Sequence, residues 1–313
     1  MRKLALLACL LTVCITAASA LIRHWQGGLG CEAWPACGRV LGAPAATGAA
    51  PADPPPAIRV ARLAHRASAS AVGLLVALLA LFGWKSFDGS QRLAAAVALA
   101  DTVFLAWLGR YTPHDLPLVT VGNVTGGMLL AAALAWIAAA RPGTGRSLPA
   151  VSAFVLLMAL LLTGTMTGSR GAVEACPDWL CVDGARVTLA ALDPRLPGEL
   201  PKAEQLGLHL AHRALALGFL LAALAAAGRG LRARERSGRV ATGLLAGLLA
   251  AQVALGLGTA LGSLPLVTAT LHNAVAMSIA AALAALAAAT PVLAPTRRLR
   301  ASADRDRFAA SSP

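Results

Sequence analysis

Three histidines stand in apolar stretches of this chain, and two of them are followed directly by arginine: His65-Arg66, His212-Arg213 and, alone, His272. An ionisable side chain in such surroundings is costly and therefore a functional candidate by default. A neutral imidazole offers a nitrogen lone pair to a metal, and a guanidinium offers a planar fork of donors to a carboxylate. Each His-Arg pair is preceded by two cysteines around a tryptophan: Cys31-Glu-Ala-Trp34-Pro-Ala-Cys37 before the first, Cys176-Pro-Asp-Trp179-Leu-Cys181 before the second.

These residues repeat at nearly one offset. Cys31 and Cys176 are 145 positions apart, His65 and His212 147, and Leu116-Pro117-Leu118-Val119-Thr120 recurs as Leu264-Pro265-Leu266-Val267-Thr268 after 148. Three unrelated signals at one spacing read as an internal duplication. Its halves are residues 1–146 and 147–290, followed by a polar tail, 291–313, expected to be disordered.

The frame that must position the histidines is apolar. Of 313 residues 58% are hydrophobic and 13% charged, with mean hydropathy +0.69, against about 25% charged in soluble domains. Runs at 4–22, 61–83, 92–110, 117–140, 149–168, 205–228, 239–262 and 265–290 are each long enough to cross a bilayer as a helix. The first could also be a cleavable signal peptide ending at Ala18-Ser19-Ala20. The matching span at 149–168 in the second half argues for a retained helix. The expected fold is thus all-α: a polytopic membrane protein with eight transmembrane helices, built as two duplicated four-helix bundles. The many Ala and Gly residues in the spans suit close helix packing in lipid.

Charge orients it. Of the 27 basic residues, 16 lie in the termini and the short even-numbered connections, which puts both termini in the cytoplasm. The net charge of +13 is then a topological signal rather than a nucleic-acid footprint. The cysteine loops fall on the outer, extracytoplasmic side, periplasmic for a protein of a cell inner membrane. There an oxidising compartment permits close pairs to form disulfides.

His272 lies seven residues past Pro265, about 10 Å below the outer surface, and His212 sits at similar depth on its own span. Two imidazoles facing each other across a helix bundle are a usual way to hold a haem iron from both faces. Arg66 and Arg213 can meet propionates, or act only as interfacial anchors.

In this order and within eight duplicated spans, the Cys–Trp–Cys loops, the His-Arg pairs of spans 2 and 6 and the His of span 8 resemble the haem A synthase family (the CtaA/COX15 group). The resemblance covers nearly the whole chain. It implies an oxidoreductase that converts a methyl group of haem O, its substrate, to the formyl group of haem A. It further implies a haem b cofactor between His212 and His272, a substrate haem near His65, and pairing of Cys31 with Cys37 and of Cys176 with Cys181. Haem O synthase, an electron acceptor and a second copy of the chain are the partners it suggests, beside the lipid bilayer.

The N-terminal half departs from the family pattern. The Glu that the family carries three residues before the span 2 histidine is Arg62 here. Its span 4 histidine is replaced by Asn123, or by Val124 in the Leu-Pro-Leu-Val-Thr register. His114 precedes that span. Asp101, midway along span 3, is the candidate to take over acid–base work or to pair with an arginine; the plainer expectation is a protonated carboxyl bonded to a neighbouring helix. His65, Asp101 and Asn123 are therefore the candidate catalytic set. His209, one helical turn before His212, could support the haem or offer another ligand. Two other functions compete: a non-catalytic haem b protein with a degenerate substrate site, and a thiol oxidoreductase using its loop cysteines, whose spacing is wider than the usual redox motif.

Overall fold

The computed structural model describes residues 1–26, 54–111, 117–140, 147–172, 175–176, 182–196, 198–231, 236–260 and 265–289. Among them are eight helices long and apolar enough to cross a membrane, and no strand. They are α1 (Arg2–Gln26), α2 (Pro56–Gly83), α3 (Gly89–Leu108), α4 (Pro117–Ala139), α5 (Leu148–Ser169), α6 (Lys202–Leu231), α7 (Arg236–Ala260) and α8 (Pro265–Ala289). The chain is a multi-pass membrane protein. The sequence placed α2 and α6 too short. Proline is tolerated in the first turn of a helix, so α2 begins at Pro56, and α6 runs through polar residues at both ends. Between α5 and α6 the described chain is irregular apart from one 3₁₀ turn, Ala190–Leu192. Cys31, Cys37, His114, Cys181 and the tail lie outside the described residues.

Neighbouring relations in the bundle follow one rule. α1 packs on α2 as α5 packs on α6; α3 on α4 as α7 on α8; α2 on α3 as α6 on α7; α1 on α8 as α5 on α4. α4 and α8 cross at the centre and are the two most buried spans. Met128, Ala131 and Leu134 of α4 and Met277, Ala280 and Leu283 of α8 are all nearly inaccessible, and Met277 reaches Gly127 of α4. Small residues let helix backbones approach where lipid supplies no hydrophobic drive between helices. Leu63, Leu74, Leu81, Val103, Leu217, Leu221 and Leu244 point outward, as a lipid-facing surface requires.

Polar groups fasten the two ends. At the short-connection end, Asp88 caps α3: Gln91 N–H donates to Asp88 Oδ1 at 2.9 Å and Asp88 N–H to Gln91 Oε1 at 3.2 Å, a capping box. That bond, with another from Ser90, holds the Asp88 carboxyl below the usual range. The buried Gln91 also donates to Ile137 O at 3.1 Å, and Arg2 donates to Ala140 O at 2.7 Å; both tie the end of α4. At the long-connection end the segment after α5 folds back over the helices. Gly171 takes a positive φ of 68° against the Glu199 side chain. Gly207 of α6 meets the Arg186 backbone so closely that no Cβ fits, while Arg186 N–H donates to Ala203 O at 2.7 Å. Leu118 N–H on α4 donates to Pro194 O at 2.8 Å, so this segment reaches the first half. The Arg195 guanidinium donates twice to Asp193, at 2.9 and 2.8 Å, and its backbone N–H once, at 3.0 Å; together they pull the carboxyl down to about 2.

Candidate functional site

His212 projects from α6 against α5. The Thr163 hydroxyl donates to Leu160 O at 2.9 Å, so its oxygen is left to accept, and His212 Nδ1 stands 3.1 Å from it. This places the imidazole proton on Nδ1 and leaves the Nε2 lone pair free. One residue on, Gly164 makes room for the ring: a Cβ there would stand 2.8 Å from His212 Cε1.

His272 on α8 is also held by a polar side chain and a glycine of its neighbour, α7, but through its other ring nitrogen. Gln252 Nε2 lies 3.0 Å from His272 Nε2, and a Cβ on Gly256, one helical turn along, would stand 3.2 Å from His272 Cε1. His272 Nδ1 and Gln252 Oε1 are both buried without a partner. Turning the Gln252 amide round would let Oε1 accept from the ring, but one imidazole nitrogen would still be left over. The His212 and His272 rings are close enough to interact electrostatically. Each ring thus has one nitrogen met by a neighbouring helix and one left over; on His212 the latter is a lone pair, and on His272 it is a lone pair once the Gln252 amide is turned so that Oε1 accepts. Among the described residues no cluster of three or more metal-ligating side chains forms a compact cage. Two neighbouring imidazoles supply two nitrogen donors, too few to enclose a bare ion.

His209, one turn before His212, is also close enough to it to interact electrostatically. Its Nε2 meets the Ala172 carbonyl at the end of α5, which braces the irregular segment there. Arg213 is half-buried beside His212, whereas Arg66 is exposed.

In the first half, His65 lies on the inward stripe of α2, Ile58–Ala61–His65–Ser68–Val72, while Arg62 faces outward with Arg66. The electrostatic neighbour of His65 is Arg66. Asp101 packs across the α3–α4 seam: a Cβ on Gly126 would stand 3.0 Å from its Oδ1, and its Oδ2 is buried without a partner. The half-buried Asn123 is on α4 between Gly122 and Gly126. These glycines receive Leu108 and Leu105 of α3, at 2.7 and 2.8 Å from the Cβ positions. Beside them an apolar cavity of about 340 Å³ is lined by Phe104, Trp107, Leu108, Leu118, Val119 and Gly122.

The sequence reading passed over the residues that orient the histidines, Thr163, Gly164, Gln252 and Gly256. It also passed over His24, on the last turn of α1. Asn273 Nδ2 is 3.2 Å from His24 Nε2, and Arg23 donates to Asn273 Oδ1 at 3.3 Å. The same rule that marked His65, an ionisable side chain within an apolar span, marks His24.

The model of one protein family, described as cytochrome oxidase assembly protein (COX15–CtaA), matches residues 2–284. The chain belongs to this family. That is the haem A synthase family suggested by the sequence, and its members handle haem, so the paired histidines fall in a chain of the right class. No curated protein matches the sequence. Cys176 is disulfide-bonded, with its partner outside the described residues; Cys9 and Cys14 are free.

Proposed function

We propose that this protein is a haem A synthase, oxidising the methyl group of haem O to a formyl group within the membrane. The observation that carries the reading is the matched treatment of His212 and His272: each is oriented by one polar side chain and one glycine of a neighbouring helix, and each keeps one nitrogen unused. These residues fit a haem b held from both faces, which when bound supplies one-electron redox chemistry. Thr163 would keep the His212 proton on Nδ1 and leave Nε2 to ligate; Gln252, with its amide turned so that Oε1 accepts from His272 Nε2–H, would leave Nδ1 of that ring to ligate. In the first half His65 is the axial candidate for the substrate haem, and the α3–α4 cavity offers an apolar surface for a hydrophobic substituent. Exchanging two C–H bonds for one C=O, with water as the oxygen source, releases four electrons and four protons, so it also demands an external electron acceptor, as partner or pool. The equivalent helix pairings of α1–α4 and α5–α8 support a duplicated frame. Arginine in the short connections supports cytoplasmic termini in a cell inner membrane, with Cys31–Cys37 and Cys176–Cys181 bridges in the outer loops.

The second reading is a haem b protein without synthase activity. It is favoured by α4, which carries Asn123 rather than a histidine, and by the packing of Asp101 against Gly126 in a helix seam. Co-expression with a haem O source and pigment extraction separates the two. Haem A in the membranes supports the synthase; haem b alone, with haem O unconverted, supports the second reading.

A further inference from the structure

Arg23 and His24 form a donor cluster between the two halves of the bundle. Asn273, next to His272 on α8, is fully used: its Oδ1 accepts from Arg23, and its amide donates to Ala269 O at 2.8 Å and to His24 Nε2 at 3.2 Å. His24 is close enough to His272 for the rings to interact electrostatically. What remains at this point is only donors. The bond to Asn273 takes one of the five guanidinium N–H groups, and with Nε2 accepting, the imidazole proton is on Nδ1, which no described residue takes. No acidic side chain among the described residues pairs with Arg23.

Among the described residues, the buried side-chain atoms without partners belong to Asp101, Arg170, Gln252 and His272. Arg23 and His24 are both half-buried, and among the described residues their spare donors meet no acceptor. A half-buried guanidinium whose one partner among the described residues is a neutral amide is poorly compensated. A planar fork beside an imidazole N–H is complementary to a carboxylate.

We infer that Arg23, with His24, binds a carboxylate of the tetrapyrrole ligated at His272, so that α1 of the first half anchors the cofactor of the second. The inference rests on the haem reading above and names one contact within it. Asn273 is a positioning residue here: it joins α1 to the ligand-bearing helix and fixes the distance between cation and iron.

The test is equilibrium binding of iron mesoporphyrin, as free acid and as dimethyl ester, to haem-depleted full-length protein in phosphatidylcholine nanodiscs. Wild type should prefer the free acid by about tenfold or more, a charge-assisted hydrogen bond being lost in the ester. Arg23→Gln should remove that preference while binding the ester as wild type does, and its haem should show a lower midpoint potential. His24→Gln should weaken the preference, which keeps the test alive if Arg23→Gln does not fold. An unchanged preference in both variants, or none in wild type despite a bis-imidazole spectrum, overturns the inference alone. Failure of wild type to give a bis-imidazole spectrum with either porphyrin overturns the haem reading itself. An Arg23 effect that appears only when phosphatidylglycerol is added assigns the cluster to a lipid headgroup and overturns the propionate contact.

Discussion

The backbone of α5 at Gly164 abuts the imidazole of His212, leaving no room for a methyl group: a Cβ there would come within 2.8 Å of Cε1. The corresponding clearance between Gly256 and His272 is 3.2 Å. Gly164→Ala must therefore push the ring away from its Thr163 contact, whereas Gly256→Ala asks for a shift of a few tenths of an ångström. Alanine favours a helix over glycine by about 1 kcal/mol, so neither change should unfold the protein. The expected outcome is strong loss of haem in Gly164→Ala and mild loss in Gly256→Ala, read from the haem-to-protein ratio after purification. Equal retention in both would show that the close approach does not set ring position.

Thr163→Val keeps shape and removes the acceptor that holds the His212 proton. Orienting partners of this kind are worth about 10–100-fold in metal affinity. Thr163→Val should lower haem affinity within that range, and Thr163→Ser should restore it. Since valine also removes the bond to Leu160 O, the serine variant is the arm that isolates the hydroxyl. Titration of the apo-protein with haemin measures both.

Much of this was legible in the chain. Apolar runs of membrane length fixed the number of helices, because a backbone in lipid has few alternatives. His212 and His272 stood out because an ionisable group there needs a reason. Thr163 and Gln252 did not, since a threonine in a membrane helix commonly bonds its own backbone, as Thr12, Thr16 and Thr102 do here. Only the packing of α5 on α6 and of α7 on α8 gives Thr163 and Gln252 a second task. Glycines were counted as packing residues in general; which of them face a ring is a property of helix rotation that composition does not carry. Asp101 was singled out for its cost, and its neighbour across the seam, Gly126, was visible only once α3 and α4 were placed.

Asp101 lies over Gly126 with Oδ2 unbonded, a geometry that suits a neutral carboxyl better than a charged one. Asp101→Asn preserves its shape without the option of a charge. If the side chain only fills the seam, expression and haem O conversion should both match wild type. Loss of conversion with normal expression and normal haem b content would instead give the carboxyl a place in the reaction.

The absence of a histidine on α4 is matched by a change on α3. In the 148-residue register His272 corresponds to Val124 and Gly256 to Leu108. In the second half α7 offers a glycine and α8 fills the gap with an imidazole. In the first half α3 supplies Leu108, and Gly122 of α4 receives it, with 2.7 Å between its Cβ position and Leu108 Cδ2. The slot for a ring is filled from the opposite helix, so Val124→His alone should be overpacked, at a cost of about 1–3 kcal/mol, and should add no ligand. Leu108→Gly alone leaves a cavity and costs about 2–5 kcal/mol. Together the two changes rebuild the arrangement of α7 and α8. The double variant should be more stable than the sum of its parts by about 0.5–3 kcal/mol. With His65 across the bundle, it should also bind a second low-spin haem, seen as a higher haem-to-protein ratio and a second bis-imidazole signal in electron paramagnetic resonance. If the double variant shows neither coupling nor added haem, the two halves do not share this register, and the slot in the first half lies elsewhere.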